Sequence, residues 1–199
     1  MAIKHEVSEA RERVIEVAER LFAQKGYAAV TLRDIAGQLG LKHASLYHHA
    51  PGGKEELYIE VMERTLRRHN AGLTAAITTA APDIRARLRA AADWLISQPP
   101  MDLVRMVYSD MPEINAEHAR RLSENAFEMM IAPIGLALET AKGRGEIHHH
   151  DTGLVAGGLL GMLESLHAVP QEAFDGTRRS RQWMAYELID VMLDGVRRR

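Results

Sequence analysis

Apolar residues recur at helical spacing along almost the whole chain, and nowhere do four or more residues alternate between apolar and polar among β-branched types. The pattern predicts an all-α protein. Val14, Val17, Ala18, Leu21 and Phe22 make the stripe of a first helix that starts after Ser8, with Gly26 as a left-handed cap at its end. Thr31 followed three residues later by Asp34 is a capping box, and it opens a short second helix with Leu32, Ile35, Ala36 and Leu39 inward and Gly40 as its stop. A third short helix is expected around His43 to His49. After the break Ala50-Pro51-Gly52-Gly53, a long fourth helix begins at Lys54, with Leu57, Val61, Met62, Thr65, Leu66, His69 and Leu73 inward.

Further helices are expected over 84–97, 102–110, 116–142, 152–169 and 178–198, with a kink or break at Pro133 inside the longest of them. That makes about nine helices. The expected organisation is a three-helix head over residues 1–53 on a larger helical body over 54–199, with the helix 54–79 connecting the two.

Composition narrows the function classes. With 46% hydrophobic residues the chain can fill a real core, and with no cysteine it can hold neither a disulfide nor a thiolate metal site. The first residues include Lys4, His5 and Glu6, so no secretory signal is expected, and the longest apolar run, from Gly153 to Leu163, is too short to cross a membrane. A cytoplasmic protein is the expectation. The net charge is −2 overall, yet the stretch from Arg20 to Lys54 carries +4, with His43, His48 and His49 besides. Such an asymmetry suits a basic reading head on an acidic body.

Two short helices joined at a glycine turn form a helix-turn-helix when the second presents polar groups on a small buried base. Leu39 and Leu41 flank Gly40, and Leu46 can plug the third helix into the first two. That leaves Lys42, His43, Ala44, Ser45, Tyr47 and His48 as the reading surface. Lysine donates to phosphate or guanine, serine and histidine bond base edges or backbone oxygens, and Ala44 lets the helix come close. Lys54 opposes the dipole of the helix it begins, an arrangement that becomes favourable once a phosphate sits there. Thr31 and Arg33, at the start of the second helix, are placed for the same contact.

These segments (Phe22 to Tyr27, Thr31 to Ala36, Gly40-Leu41, Leu46 to His49 and Lys54 to Leu57) resemble the N-terminal domain of the TetR/AcrR family of transcriptional regulators, over about the first 60 residues. The resemblance implies a homodimer that binds a palindromic operator on double-stranded DNA and is released by a small molecule held in the body, mostly acting as a repressor. It implies phosphate contacts from Thr31, Lys42, Tyr47, His48 and Lys54, and base contacts from His43, Ala44 and Ser45. Two positions depart from the family pattern. Lys42 stands where a serine or threonine usually caps the third helix. Ala50 stands where an aromatic residue is usual, which leaves space for Tyr58 or Phe22.

The resemblance also implies a four-helix dimer interface built from the last two helices. Gly153, Ala156, Gly157, Gly158 and Gly161 on one, and Trp183, Met184, Tyr186, Leu188, Val191, Met192 and Val196 on the other, agree with close packing there. A pocket for a largely apolar effector is expected from Leu66, His69, Trp94, Met101, Met106, Tyr108, Phe127, Met129 and Met130, because methionine-rich linings adapt to varied apolar ligands. His69 and His118 could each orient a polar group on the ligand. His148-His149-His150-Asp151 is read as a solvated loop rather than a metal site, since adjacent residues seldom converge on one ion. No catalytic constellation is present, so neither an enzyme nor a cofactor is expected. The alternatives left open are a regulator of the same fold answering to metal through His148–His150 or to a protein partner, and one whose DNA binding the ligand strengthens.

Overall fold

The helical periodicity is realised as α1 (Ala2–Ala29), α2 (Leu32–Gln38), α3 (His43–Leu46), α4 (Gly53–Thr79), α5 (Ile84–Ser97), α6 (Leu103–Arg105), α7 (Ala116–Ala126), α8 (Ala132–Gly143), α9 (Thr152–Ser165) and α10 (Arg181–Val196). The structure, a computed structural model, describes residues 2–148, 151–172 and 177–196, with the side chains of 2–8, 43 and 196 outside that description. Among the described residues β pairing amounts to one isolated antiparallel bridge, between Glu172 and Arg178. No helix among them is long and apolar enough to cross a membrane.

The chain divides into two compact units. The first comprises residues 1–65 and 102–124, and the second 66–101 and 125–199. The sequence places the boundary at residue 53; the first unit here also takes the opening turns of α4, the whole of α6 and most of α7.

In the first unit, α1 runs from Ala2, so Ser8 lies within the helix rather than capping it. Ala2, Lys4 and Glu6 are good helix formers, and continuing the helix through them outweighs the single capping bond that Ser8 could supply. At Gly26 the helix breaks with φ 78° and ψ 170°, and a last turn follows to Ala29. The sign of φ is the one expected of a left-handed cap, but this ψ lies in the extended region open to glycine alone. The core of this unit includes Val14, Ala18, Leu21, Phe22, Ile35, Leu46, Leu57 and Tyr58. Phe22, Tyr27 and Tyr58 form an aromatic cluster, with ring centroids 5.1 Å apart for Phe22–Tyr58 and 4.9 Å for Tyr27–Tyr58. Beyond α6 the backbone widens into a π turn over Met106–Asp110 and then tightens into a 3-10 turn over Met111–Glu113.

In the second unit, α5 packs on α10, α8 and α9, and α8 packs on α9. Asp83 caps α5 through the Ala86 N–H at 2.9 Å, and Asp151 caps α9 through the Leu154 N–H at 2.8 Å. Trp94 lies against Gly72, where a Cβ would overlap its ring. The break expected at Pro133 takes a specific form. Proline brings no N–H, so the Met129 carbonyl one turn back loses its helical donor. The backbone relaxes into a π turn over Phe127–Ile131, and the Asn70 side chain of α4 donates to the Met129 carbonyl at 3.2 Å.

Candidate nucleic-acid interface

The capping box forms as the spacing requires. The Asp34 N–H donates to Thr31 Oγ1 at 3.1 Å, and the Thr31 N–H and hydroxyl donate to Asp34 Oδ2 at 2.9 and 2.7 Å. These bonds hold the exposed Asp34 carboxyl below the usual carboxylate range. At the other end of α2, Gly40 has φ 66°, the Leu41 N–H reaches the Ala36 carbonyl at 2.9 Å and the Gly40 N–H reaches Gly37 at 3.2 Å. This pair of bonds is the Schellman closure that turns the chain towards α3. Lys42 begins α3 with no side-chain capping bond, which is the consequence of having lysine there. The regular helix lasts only to Leu46, and hydrogen bonds from His49 and Ala50 back to the Leu46 carbonyl carry the turn onward.

Leu46 is fully buried and faces α3 inward, while Lys42, Ala44, Tyr47 and His48 are exposed and Ser45 is half-buried. The His43 side chain lies outside the described residues. Ala50 is buried. Val30, Thr31, Leu32, Arg33, Tyr47 and Lys54 line one cleft of about 430 Å³, which gathers four of the sequence-derived DNA contacts: Thr31, Arg33, Tyr47 and Lys54. Lys54 is already positioned: its Nζ donates to the Tyr27 carbonyl at 3.1 Å and stands 3.9 Å above the centroid of the Tyr27 ring.

Three groups that the periodicity leaves unmarked hold this surface in place. Arg11 of α1 donates to the His49 carbonyl and pairs with Glu60 of α4. Asp110, 5% exposed, accepts the Tyr27 N–H at 2.8 Å and the Tyr58 hydroxyl at 3.2 Å. Burial and this carboxylate push the Tyr58 phenol well above its ordinary range. Arg105 donates to the carbonyls of Phe22 and Ala23, at 3.1 and 2.8 Å, at the point where α1 breaks. Tyr27 is thus held at its N–H by Asp110 and at its carbonyl by Lys54. An Asp between Ser109 and Met111 has no periodic signature, and the contact joins residues far apart in sequence, so composition and spacing give no sign of it.

His118 is not placed to orient a ligand. Its Nδ1 lies 2.6 Å from Glu55 Oε1, which also accepts the Asn115 N–H at 3.0 Å, and together they fasten α7 to α4. The bond to His118 first, and that to Asn115 second, hold the Glu55 carboxyl below the usual range. A carboxyl lowered on folding contributes stability above the ordinary carboxylate pKa, and that contribution is lost as pH falls through the folded value. Urea unfolding measured from about pH 5 down to about pH 3 is therefore expected to lose midpoint faster in the unmodified protein than in Glu55→Gln. Parallel slopes would show that the tie contributes nothing.

The residues expected to line an effector pocket fall in both units. Met106 and Tyr108 belong to the first unit, whereas Leu66, His69, Trp94, Phe127, Met129 and Met130 belong to the second. Met106, Leu66, His69 and Met130 are core residues. Tyr108 is 78% exposed and Phe127 55% exposed.

Of the residues expected at a dimer face, Trp183 and Gly161 are exposed and Gly157 and Met192 half-buried, and Leu154 and Val191 stand out beside them. Tyr186 is engaged within the unit instead: its hydroxyl donates to Asp93 at 2.8 Å and Arg89 lies 4.6 Å from its ring. His148 is exposed, and His149 and His150 lie outside the described residues. Among the described residues, no group of three or more histidine or acidic side chains is arranged to hold a metal ion.

Residues 14–61 match the model of the bacterial regulatory proteins of the tetR family. The transcriptional regulator LmrA of Bacillus subtilis is 38% identical over 84 residues, which are 41% of this chain and 45% of that protein. The chain thus matches less than half the length of this relative. The transcriptional regulator BetI of Brucella suis is 29% identical over 195 residues, covering 93% of this chain and 92% of that protein. A transcriptional regulator of Saccharomonospora viridis, solved in complex with choline, superposes with a TM-score of 0.72 at 24% identity, covering 96% of this chain and 100% of the other. That likeness extends the fold beyond the helix-turn-helix to the C-terminal helices.

Proposed function

We propose that this chain, whose residues 14–61 match the tetR family of bacterial regulatory proteins, is a repressor that binds a palindromic operator as a homodimer and is released by a small effector. The observation that carries the reading is the cleft of Thr31, Arg33, Tyr47 and Lys54 beside the exposed face of α3. It separates two kinds of contact. The cleft presents two cations, a threonine and a tyrosine at one notch, which suits a phosphate. The α3 face presents small and polar side chains at Ala44, Ser45 and His48, which suits base edges in a major groove. Tying the Lys54 ammonium to the Tyr27 carbonyl reduces the freedom it would lose on meeting a phosphate.

The second unit supports the other two parts of the reading. Leu154, Val191 and Trp183 leave apolar surface exposed around α9 and α10, near glycines that permit close approach, and a second copy of the chain would cover it. Choline bound to the S. viridis regulator is a precedent for a small molecule held in this fold. An effector would act only through a difference in its affinity for the DNA-bound and free arrangements.

The test is binding of the purified protein to DNA from upstream of its own and adjacent genes, with salt varied. Lys54→Ala is expected to weaken binding to every sequence and to lower the salt slope by about one. Ser45→Ala or His43→Ala is expected to change which operator is preferred. Equal behaviour of the two classes would place α3 wrongly, and absence of any binding at low salt would sink the reading.

A further inference from the structure

Helix α5 carries arginines at 85, 87 and 89, and they are not equivalent. Arg85 and Arg89 both pair with Asp190 of α10, the latter at 2.8 Å. Arg87, two residues from each, projects from another side of the helix and makes no ion pair among the described residues. Its Nε is buried without a hydrogen-bond partner. The residue as a whole is half-buried, so its charge lacks a counter-ion among the described residues without being sealed from water.

Arg87 lines a cleft of about 560 Å³ in the second unit, between the end of α4, α5 and α8. Ile77, Pro133, Leu136 and Ala137 supply its apolar wall, and Thr74, Thr78 and Thr140 its polar margin. The volume falls within the range of sites for small organic ligands. Leu136 is 70% exposed, an apolar side chain left largely uncovered by the described residues. We infer that this cleft binds an aliphatic monocarboxylate, its tail along Ile77 and Leu136 and its carboxylate on the Arg87 guanidinium.

Charge selects the class. A planar guanidinium takes a carboxylate through two parallel hydrogen bonds. Glu128 also lines the cleft but is exposed and solvated, and it makes no ion pair with Arg87. One exposed carboxylate tolerates a singly charged head at Arg87 and disfavours a dianionic phosphate. The inference rests on the effector reading above, and it gives the chemistry of that effector.

The experiment compares octanoate, octanol and octyltrimethylammonium by thermal shift and calorimetry on the full-length protein. Octanoate is expected to bind at least tenfold more tightly than octanol, and the ammonium compound more weakly than either. Arg87→Gln is expected to remove the octanoate preference while octanol binding stays the same. Leu136→Glu, at an exposed position that the fold does not need, is expected to weaken octanoate at least tenfold. Octanoate and octanol binding alike, or Arg87→Gln retaining the octanoate preference, would overturn the inference. The same octanoate series is then run on the operator complex. Binding through Arg87 with no change in operator affinity would uphold the site and refute its role as effector site.

Discussion

Replacing Asp110 with alanine is expected to destabilise the first unit by roughly 3–5 kcal/mol and to abolish operator binding. The carboxylate is 5% exposed and is the acceptor for two groups, the Tyr27 N–H and the Tyr58 hydroxyl. Alanine leaves both donors buried without an acceptor, beside the Arg105 guanidinium whose Nε lies 3.9 Å from Asp110 Oδ2. Gly26 presses the same point from the other side, since a Cβ there would come within 3.1 Å of Asp110 Oδ1. The effect should reach the DNA surface, because Tyr27 also fixes Lys54. Chemical denaturation followed by tyrosine absorbance would read the stability, and a filter-binding titration the affinity. Asp110→Asn, which keeps an acceptor for one donor, should fall between the two. An alanine variant that melted and bound DNA like the unmodified protein would remove Asp110 from the account.

The second large effect is expected at Leu46, where alanine should cost ~2–5 kcal/mol in the first unit. Helix α3 has four residues, far too few to be stable alone, and Leu46 is its fully buried side chain. Without that plug the exposed face of α3 would lose its base. Operator binding should disappear while far-UV circular dichroism at low temperature barely changes, because α3 contributes so little helix. Large loss of ellipticity at low temperature would instead mean that the second unit depends on α3.

Much of the fold was legible because it depends on neighbours in sequence. The Thr31–Asp34 box, the closure at Gly40, the buried stripe of α4 and the limits of α5 all rest on residues within one or two turns of each other. The helix-turn-helix surface follows from the same local rules, and Thr31, Arg33, Tyr47 and Lys54 do share one cleft. What was not legible depends on distant residues or on a change of period. The bonds from Asp110 and Arg105 to α1 cross about 80 residues of chain, and nothing near either residue announces them. The π turns at Met106–Asp110 and Phe127–Ile131 are likewise not marked by any local signal in the apolar pattern. Arg87 was invisible as a binding group, since its distinction from Arg85 and Arg89 lies in which of them Asp190 reaches.

The bond from Asn70 to the Met129 carbonyl also bears on which parts of the second unit move together. Pro133 leaves the Met129 carbonyl without its helical donor at the start of α8. The donor that closes the gap arrives from α4, some 60 residues earlier in the chain. The start of α8 and the second half of α4 are therefore expected to open and close together as one cooperative element, read as shared amide hydrogen-exchange protection.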